Sequence, residues 1–338
     1  MKICLLTRRF SLDSGGIGRV STEIRDGLER LGHEVYTVST NELSLTGYFK
    51  YTFFDIRSKI PNNMDIYHAI TPMESIWIPK NRGITTVLDI IPVVHPEKHG
   101  ARMGSSKTKQ RIGKICFTIG CRQAAQCQRV ACISEQGKRE FTNHFNISRS
   151  RVKVITLGIR EDLKPKLNSG RVFRIGYLGQ LDRRKRVDLL IRAFSQSSLD
   201  AELVIGGTGS INRDTMNVDD DGRIKFVGHV PDDELADFYN SMNVLVFPTA
   251  IEGYGLPIVE AMACNVPVIV LADAIIPHEV KARCIVVEDL GTTFSSLLYL
   301  IRLCSDTRTA ENHAWAKTHR WEECVEKYVK LYEDVLSC

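Results

Sequence analysis

Ile3-Cys4-Leu5-Leu6-Thr7 is an apolar run of strand length, a helical pattern follows over about Gly18 to Leu31, Gly32 stops it, and Val35-Tyr36-Thr37-Val38-Ser39 resumes the strand pattern. A strand, a helix and a second strand joined this closely make a βαβ unit. The helix carries the chain back along the sheet, so the two strands run parallel. Working outward, Asp65-Ile66-Tyr67-His68, Thr85-Thr86-Val87-Leu88-Asp89, Arg129-Val130-Ala131-Cys132-Ile133 and Lys153-Val154-Ile155 read as further strands of an open α/β domain.

The pattern lapses from about Ile159 to Arg171, where Arg160-Glu161-Asp162-Leu163-Lys164-Pro165-Lys166-Leu167-Asn168-Ser169-Gly170 reads as a polar linker. The alternation then restarts. Strands are expected at Phe173 to Leu178, Glu202 to Ile205, Ile224 to Val227, Val244 to Phe247 and Val266 to Leu271, with helices at Val187 to Ser195, Asp232 to Asn240 and Pro257 to Ala263. A length of 338 residues, 43% hydrophobic and 25% charged, suits two such domains. The expected division is 1–163 for the first and 164–317 for the second. A last helix, about Trp321 to Leu336, places Trp321, Cys324, Val325, Tyr328, Leu331, Tyr332 and Val335 at steps of three and four, which makes one apolar face. Two parallel sheets side by side offer a crevice at their carboxyl ends, the default place for a ligand.

Composition narrows the function classes. The ten cysteines are spread singly with no Cys-x-x-Cys pair, and Cys4, Cys132 and Cys264 sit in apolar runs, so neither a disulfide framework nor a zinc site is indicated. No stretch reaches the roughly 18 uninterrupted apolar residues of a membrane span. The first residues lack a signal-peptide pattern, and a cytoplasmic location is expected. No nucleic-acid partner is expected. The formal charge of +5 is uneven: the segment 98–134 holds eight of the 45 basic residues (Lys98, Arg102, Lys107, Lys109, Arg111, Lys114, Arg122, Arg129) and none of the 40 acidic ones. Within it Ile112, Ile115, Cys116 and Ile119 fall at helical spacing. Two readings follow. Either this face lies on an anionic bilayer, with the protein peripheral on the inner face of the membrane, or it belongs to a soluble basic helix whose apolar side is core.

The chemistry concentrates in Phe247-Pro248-Thr249-Ala250-Ile251-Glu252-Gly253-Tyr254-Gly255-Leu256-Pro257-Ile258-Val259-Glu260-Ala261-Met262-Ala263. A strand ends at Phe247, a glycine-bearing loop follows, and Pro257 suits a first helical turn, where a missing N–H costs nothing. Loop amides and a helix start can receive anionic or hydroxyl oxygens. Glu252 in the loop and Glu260 in the helix can accept from hydroxyls of two different rings of one ligand; taken singly, each is as readily a solvated loop residue or a partner of the helix dipole. Asp219-Asp220-Asp221 reads as a solvated turn rather than a metal cluster, and no metal is expected.

In this setting the chain resembles glycosyltransferase family 4, whose mark is two glutamates separated by seven residues in an E-G-[FY]-G-L-P-x-x-E-A-M-A context. The resemblance extends to Gly15-Gly16-Ile17-Gly18-Arg19, Tyr177-Leu178-Gly179 with Lys185, Gly206-Gly207-Thr208-Gly209, Val227-Gly228-His229-Val230-Pro231 and the Trp321 helix. It implies a GT-B fold, two Rossmann-like domains facing each other across a cleft, with 318–338 packing back on the first.

It further implies a retaining, metal-independent hexosyltransferase whose donor is a nucleotide diphosphate sugar, with no separate cofactor, and whose acceptor is a glycan or a lipid-linked glycan. By the same resemblance Glu260 binds the donor ribose. Glu252 with Gly253, Tyr254, Gly255 and Leu256 holds the transferred sugar, and Lys185 neutralises the diphosphate. Gly16 and Gly179 let backbone approach the donor, and Val230 lies near the base. Two positions depart from the pattern: Gln180 stands where the family often has an arginine, and Leu88 where many members have a histidine. Asp89, His95 or a backbone carbonyl is left to serve the acceptor side. A GT-B sugar-nucleotide epimerase and a catalytically silent subunit are the competing readings.

Overall fold

The computed structural model describes residues 1–10, 15–40, 45–99, 107–166, 172–216, 222–295 and 306–337. The chain forms two compact units. The first comprises Met1–His95, Ser106–Gly158 and His319–Cys338; the second comprises Pro96–Ser105 and Ile159–Thr318.

The first unit carries six parallel strands: β1 Lys2–Leu6, β2 Glu34–Val38, β3 Ile66–Ala69, β4 Gly83–Val87, β5 Arg129–Cys132 and β6 Val152–Val154, in the order β2-β1-β3-β4-β5-β6. The helix Gly15–Arg30 supplies the expected crossover from β1 to β2. The last helix runs Trp321–Leu336, and the seven residues of its expected apolar face are all buried. It docks so closely that a Cβ on Gly27 would stand 2.5 Å from Val325, and one on Gly158 would stand 2.4 Å from the Trp321 backbone nitrogen. Its two tyrosines also reach the sheet. Tyr332 Oη lies 2.8 Å from His68 Nδ1, His68 Nε2 lies 2.8 Å from Thr86 Oγ1, and Thr86 Oγ1 lies 2.8 Å from Tyr328 Oη. A chain of buried polar groups satisfied in this way fixes one docking register, because any other would leave donors without acceptors.

Of the four apolar residues expected on one face of the helix Lys107–Ala124, only Cys116 is buried. Cys116, Gly120, Cys121 and Ala124 turn inward. Ile112, Ile115 and Ile119 are exposed at 49%, 59% and 38%, and Arg111, Lys114 and Arg122 are exposed with them. The three isoleucines are therefore not core; the buried side is the neighbouring stripe of small residues, where Gly120 comes within contact distance of the Pro72–Met73 backbone. Arg102 lies outside the described residues.

The second unit repeats the plan with β7 Arg174–Leu178, β8 Glu202–Gly206, β9 Ile224–Gly228, β10 Val244–Val246, β11 Val268–Leu271 and β12 Ile285–Val287, in the order β12-β11-β10-β7-β8-β9, every pair parallel. The stretch read as a linker is not free where it is described. Ile159 and Leu163 are buried, Arg160 grips Asp162 with two hydrogen bonds of 2.8 Å, and Asn240 bonds the Lys164 carbonyl and the Lys166 amide. Asn240 ties it to the second unit, a contact that local polarity does not reveal.

All eight described cysteines are buried. Burial pushes the thiols of Cys4, Cys132, Cys264 and Cys324 up to about 12, so they act as small apolar groups and not as nucleophiles. No described helix is long and apolar enough to cross a membrane.

Candidate active site

β7 and β10 are neighbours at the centre of the second sheet, and the chain proceeds from β7 to β8 on one side and from β10 to β11 on the other. Loops leaving adjacent strands in opposite directions part at their carboxyl ends, and open parallel sheets bind ligands at this switch point. The loop after β7 supplies Lys185. The loop after β10 supplies Thr249 and Glu252.

Lys185 closes a short turn, Arg183–Lys185, whose start is capped by the Asp182 carboxylate accepting from the Lys185 amide at 3.0 Å. Its ammonium donates to Glu252 Oε1 at 2.6 Å and lies over the Phe247 ring, 4.8 Å from its centroid. Thr249 Oγ1 donates to the same carboxylate oxygen at 2.5 Å, and Arg184 Nη1 reaches it at 3.4 Å while donating to the Ile251 carbonyl at 2.8 Å. Lys185 and Glu252 are 7% and 8% exposed. Burial alone would raise the Glu252 carboxyl, but the Lys185 and Arg184 charges and the bonds from Lys185 and Thr249 outweigh it and hold the group below the usual carboxylate range. Burial draws Lys185 down against the pull of Glu252. The result is a desolvated ion pair with an ionised carboxylate whose charge is already well compensated.

Gly255 begins the helix Leu256–Ala263 at φ 97°, a left-handed conformation that side chains resist, and Pro257 occupies the first turn. Glu260 follows on that helix, 4% exposed, and accepts from Tyr239 Oη at 2.7 Å. Gly253 and Leu256 are half-buried beside the helix start, and Tyr254 is buried. The structure thus brings Lys185, Glu252 and the helix bearing Glu260 to one end of one sheet.

The remaining expected residues fall as follows. The Gly179 amide donates to the Gly206 carbonyl at 3.1 Å, and a Cβ on Gly207 would stand 1.8 Å from the Gly179 oxygen, so the backbones after β7 and β8 touch. Val230 is half-buried and packs over Gly206, beside a groove of about 500 Å³ that Phe238 and His229 share. In the first unit, Gly16 is exposed at the start of the helix Gly15–Arg30, with nothing within 4 Å of the position of a Cβ. Asp89 lies beyond the end of β4, where its carboxylate accepts from the Ile91 amide at 3.1 Å. Leu88 beside it is half-buried, and His95 Nε2 stands 3.5 Å from Glu140. Asp219, Asp220 and Asp221 lie outside the described residues, and among the described residues no cluster of metal-ligating side chains occurs.

Sequence reasoning missed the parts of Thr249 and Tyr239. Thr249 stands three residues before Glu252 in the motif itself; nothing in the local sequence points from Tyr239 to Glu260. Of the arginines beside Lys185, Arg184 reaches the Glu252 carboxylate and Arg183 is exposed, while Arg186 bonds the Pro248 and Thr249 carbonyls and Asp273.

Residues 172–301 match the family described as Glycosyl transferases group 1. The chain is 24% identical over 294 residues to O-antigen chain mannosyltransferase B of Escherichia coli, covering 79% of this chain and 74% of that protein. The sucrose-phosphate synthase of Thermosynechococcus elongatus superposes with a TM-score of 0.78 at 16% identity, over 100% of this chain and 99% of that one. Anabaena HepE, solved in complex with UDP and glucose, superposes with a TM-score of 0.70 at 16% identity, over 98% and 99%. The family match thus falls on the unit that holds Lys185, Glu252 and Glu260, whose residues 172–301 resemble the group 1 glycosyltransferases, and the two six-stranded parallel sheets are of the GT-B kind.

Proposed function

We propose that this enzyme moves a hexosyl unit from a nucleotide diphosphate sugar to a glycan or lipid-linked acceptor, retaining the anomeric configuration and needing no metal. The observation that carries the reading is the buried Lys185–Glu252 pair, held by Thr249 and Arg184 beside the start of the helix that bears Glu260. When a nucleoside diphosphate leaves, negative charge grows on its phosphates. Lys185 has ammonium protons beyond the one given to Glu252, Arg184 stands next to it, and the loop amides with the first helical turn add positive potential. That is the work a divalent cation does elsewhere. Glu260 would accept from the ribose hydroxyls and Glu252 from the transferred sugar.

Retention is argued from the state of Glu252. A carboxylate that already accepts from Lys185, Thr249 and Arg184 and is held below its ordinary range is a weak nucleophile. Attack by the acceptor on the face the diphosphate leaves, with the departing phosphate taking the proton, avoids a glycosyl-enzyme. For the acceptor, the exposed Ile112, Ile115 and Ile119 with Arg111, Lys114 and Arg122 make a face suited to an anionic bilayer. A lipid-linked acceptor presented at the cytoplasmic leaflet follows from it.

The test is a panel of UDP- and GDP-hexoses, read by thermal shift and by release of the nucleoside diphosphate. One member should stabilise the protein and be turned over in excess chelator. Glu260→Ala and Lys185→Ala should weaken its binding, each lost charged hydrogen bond costing roughly 1.5 to 3 kcal/mol, and Glu252→Ala should mainly lower turnover. Wild-type kinetics in all three variants, or activity that chelator abolishes and magnesium restores, would sink the assignment.

A further inference from the structure

Arg186 has a backbone that its residue type disfavours. Its φ of 51° and ψ of 31° are left-handed, and the other described non-glycine residues with positive φ are Asn63, Asn146 and Asn265. Asparagine tolerates this region through its short polar side chain; arginine gains nothing of the kind and bears the steric cost of the left-handed backbone. Glycine would bear none. An arginine there must return the difference through its side chain.

That side chain joins three loops. Nε donates to the Pro248 carbonyl at 2.7 Å and Nη2 to the Thr249 carbonyl at 2.8 Å, both in the loop after β10. Nη1 and Nη2 grip the two oxygens of Asp273, which follows β11, at 2.6 and 2.8 Å. The planar fork of a guanidinium makes such a set in one rigid geometry, which an ammonium cannot do. The backbone around it is bound to the same two neighbours. The Ala250 amide donates to the Arg184 carbonyl at 2.9 Å, the Ile275 amide to the Ala250 carbonyl at 3.0 Å, and the Glu252 amide to the Ile275 carbonyl at 2.9 Å. With Arg184 on the Ile251 carbonyl, main-chain groups from Pro248 to Glu252 are fixed from outside their own loop. Consecutive residues thus hold one loop in two ways: Lys185 takes the Glu252 side chain, and Arg186 takes the main chain that presents it.

We infer that Arg186, braced by Asp273, is a positioning residue for Thr249 and Glu252, and that it sets turnover of the sugar rather than affinity for the nucleotide. The inference rests on the donor-site reading above. Freed from the clamp, the Thr249–Glu252 segment loses its alignment with Lys185, whereas Glu260 sits on a helix that Arg186 does not touch. A displacement near 1 Å at a reacting centre is worth on the order of a hundredfold in rate.

The experiment compares wild type with Arg186→Gly, Arg186→Lys and Asp273→Asn. Arg186→Gly removes the clamp and also relieves the backbone, so it should fold. Nucleoside diphosphate release from the UDP- or GDP-hexose that wild type uses should fall roughly 10- to 100-fold in Arg186→Gly and Arg186→Lys, and less in Asp273→Asn. Affinity for UDP or GDP alone should stay within about threefold, since no contact to Glu260 is lost. Amide exchange at Ala250 and Glu252 should quicken in Arg186→Gly while β8 and β9 keep their protection, a readout that holds whatever the substrate is. Wild-type turnover in the variants, an equal loss of turnover and nucleotide affinity, or unchanged exchange at those two amides would overturn the proposal. Quickened exchange in a protein that turns over none of the donors would instead count against the donor-site reading alone.

Discussion

Lys185 and Glu252 are 67 residues apart in sequence and 2.6 Å apart in space, almost wholly out of water. Desolvating two charges costs several kcal/mol per ion, and only their mutual attraction and the bonds from Thr249 and Arg184 compensate it. Removing one partner leaves the other buried and uncompensated. Glu252→Gln should therefore destabilise the second unit by about 3 to 5 kcal/mol, and combining it with Lys185→Met should recover part of that loss, a coupling that urea unfolding of the single and double variants would measure. Strictly additive effects would show that the pair is not closed in solution. The sign with pH follows from the direction of the Glu252 shift. A carboxyl held below its unfolded value contributes stability above about pH 4.3, and that stability is lost as pH falls through the folded value.

At the level of elements, the helix Trp321–Leu336 is bound to the first sheet by more than its apolar face. His68 is fully buried between Tyr332 and Thr86, and burial lowers it to about 3. Because the folded value lies below the unfolded value near 6.5, the stability due to a neutral His68 is complete above about pH 6.5 and declines as pH falls toward 3, by up to 1.36 kcal/mol per pH unit. Wild type should lose first-unit stability between pH 6.5 and 5 more steeply than His68→Gln, which keeps a donor and an acceptor but cannot be charged. Urea midpoints at several pH values test this, and parallel pH curves for the two proteins would refute it. Carboxylate titrations are common to both and cancel in the difference.

For the whole molecule, net charge and its placement govern encounters. The formal charge of +5 arises from one acid-free segment, and its described helix presents three exposed isoleucines among exposed Arg111, Lys114 and Arg122. Each basic residue close to an anionic surface contributes about 1 kcal/mol, and the interaction decays within a Debye length of about 8 Å at physiological salt. The protein should co-sediment with phosphatidylserine-containing vesicles, release with rising salt, and lose binding on reversal of Arg111, Lys114 and Arg122 to glutamate. Replacing Ile112, Ile115 and Ile119 with serine should weaken binding without changing its salt dependence. Equal failure to bind anionic and neutral vesicles would favour a soluble acceptor.

By itself the sequence determined what depends on near neighbours. Strand and helix periods repeat every two and every 3.6 residues, so the two α/β halves were legible. So was the Trp321–Leu336 helix, down to the seven residues it buries. The glycine loop that leads from Glu252 into the helix at Pro257 was legible too, because it is a local arrangement, whereas Lys185 was singled out only through the family resemblance. Tertiary structure alone decided what depends on distant partners. The strand order put the loops after β7 and β10 side by side, which brought Thr249 and Arg184 to Glu252 and gave Tyr239 to Glu260. It also left Ile112, Ile115 and Ile119 exposed although their spacing suits a core, and tied the polar stretch after Gly158 to the second unit through Asn240. A side chain's pattern states which face it shares. Whether that face meets protein, solvent or a charge is fixed by segments tens to hundreds of residues away, whose approach follows from the topology of the sheets.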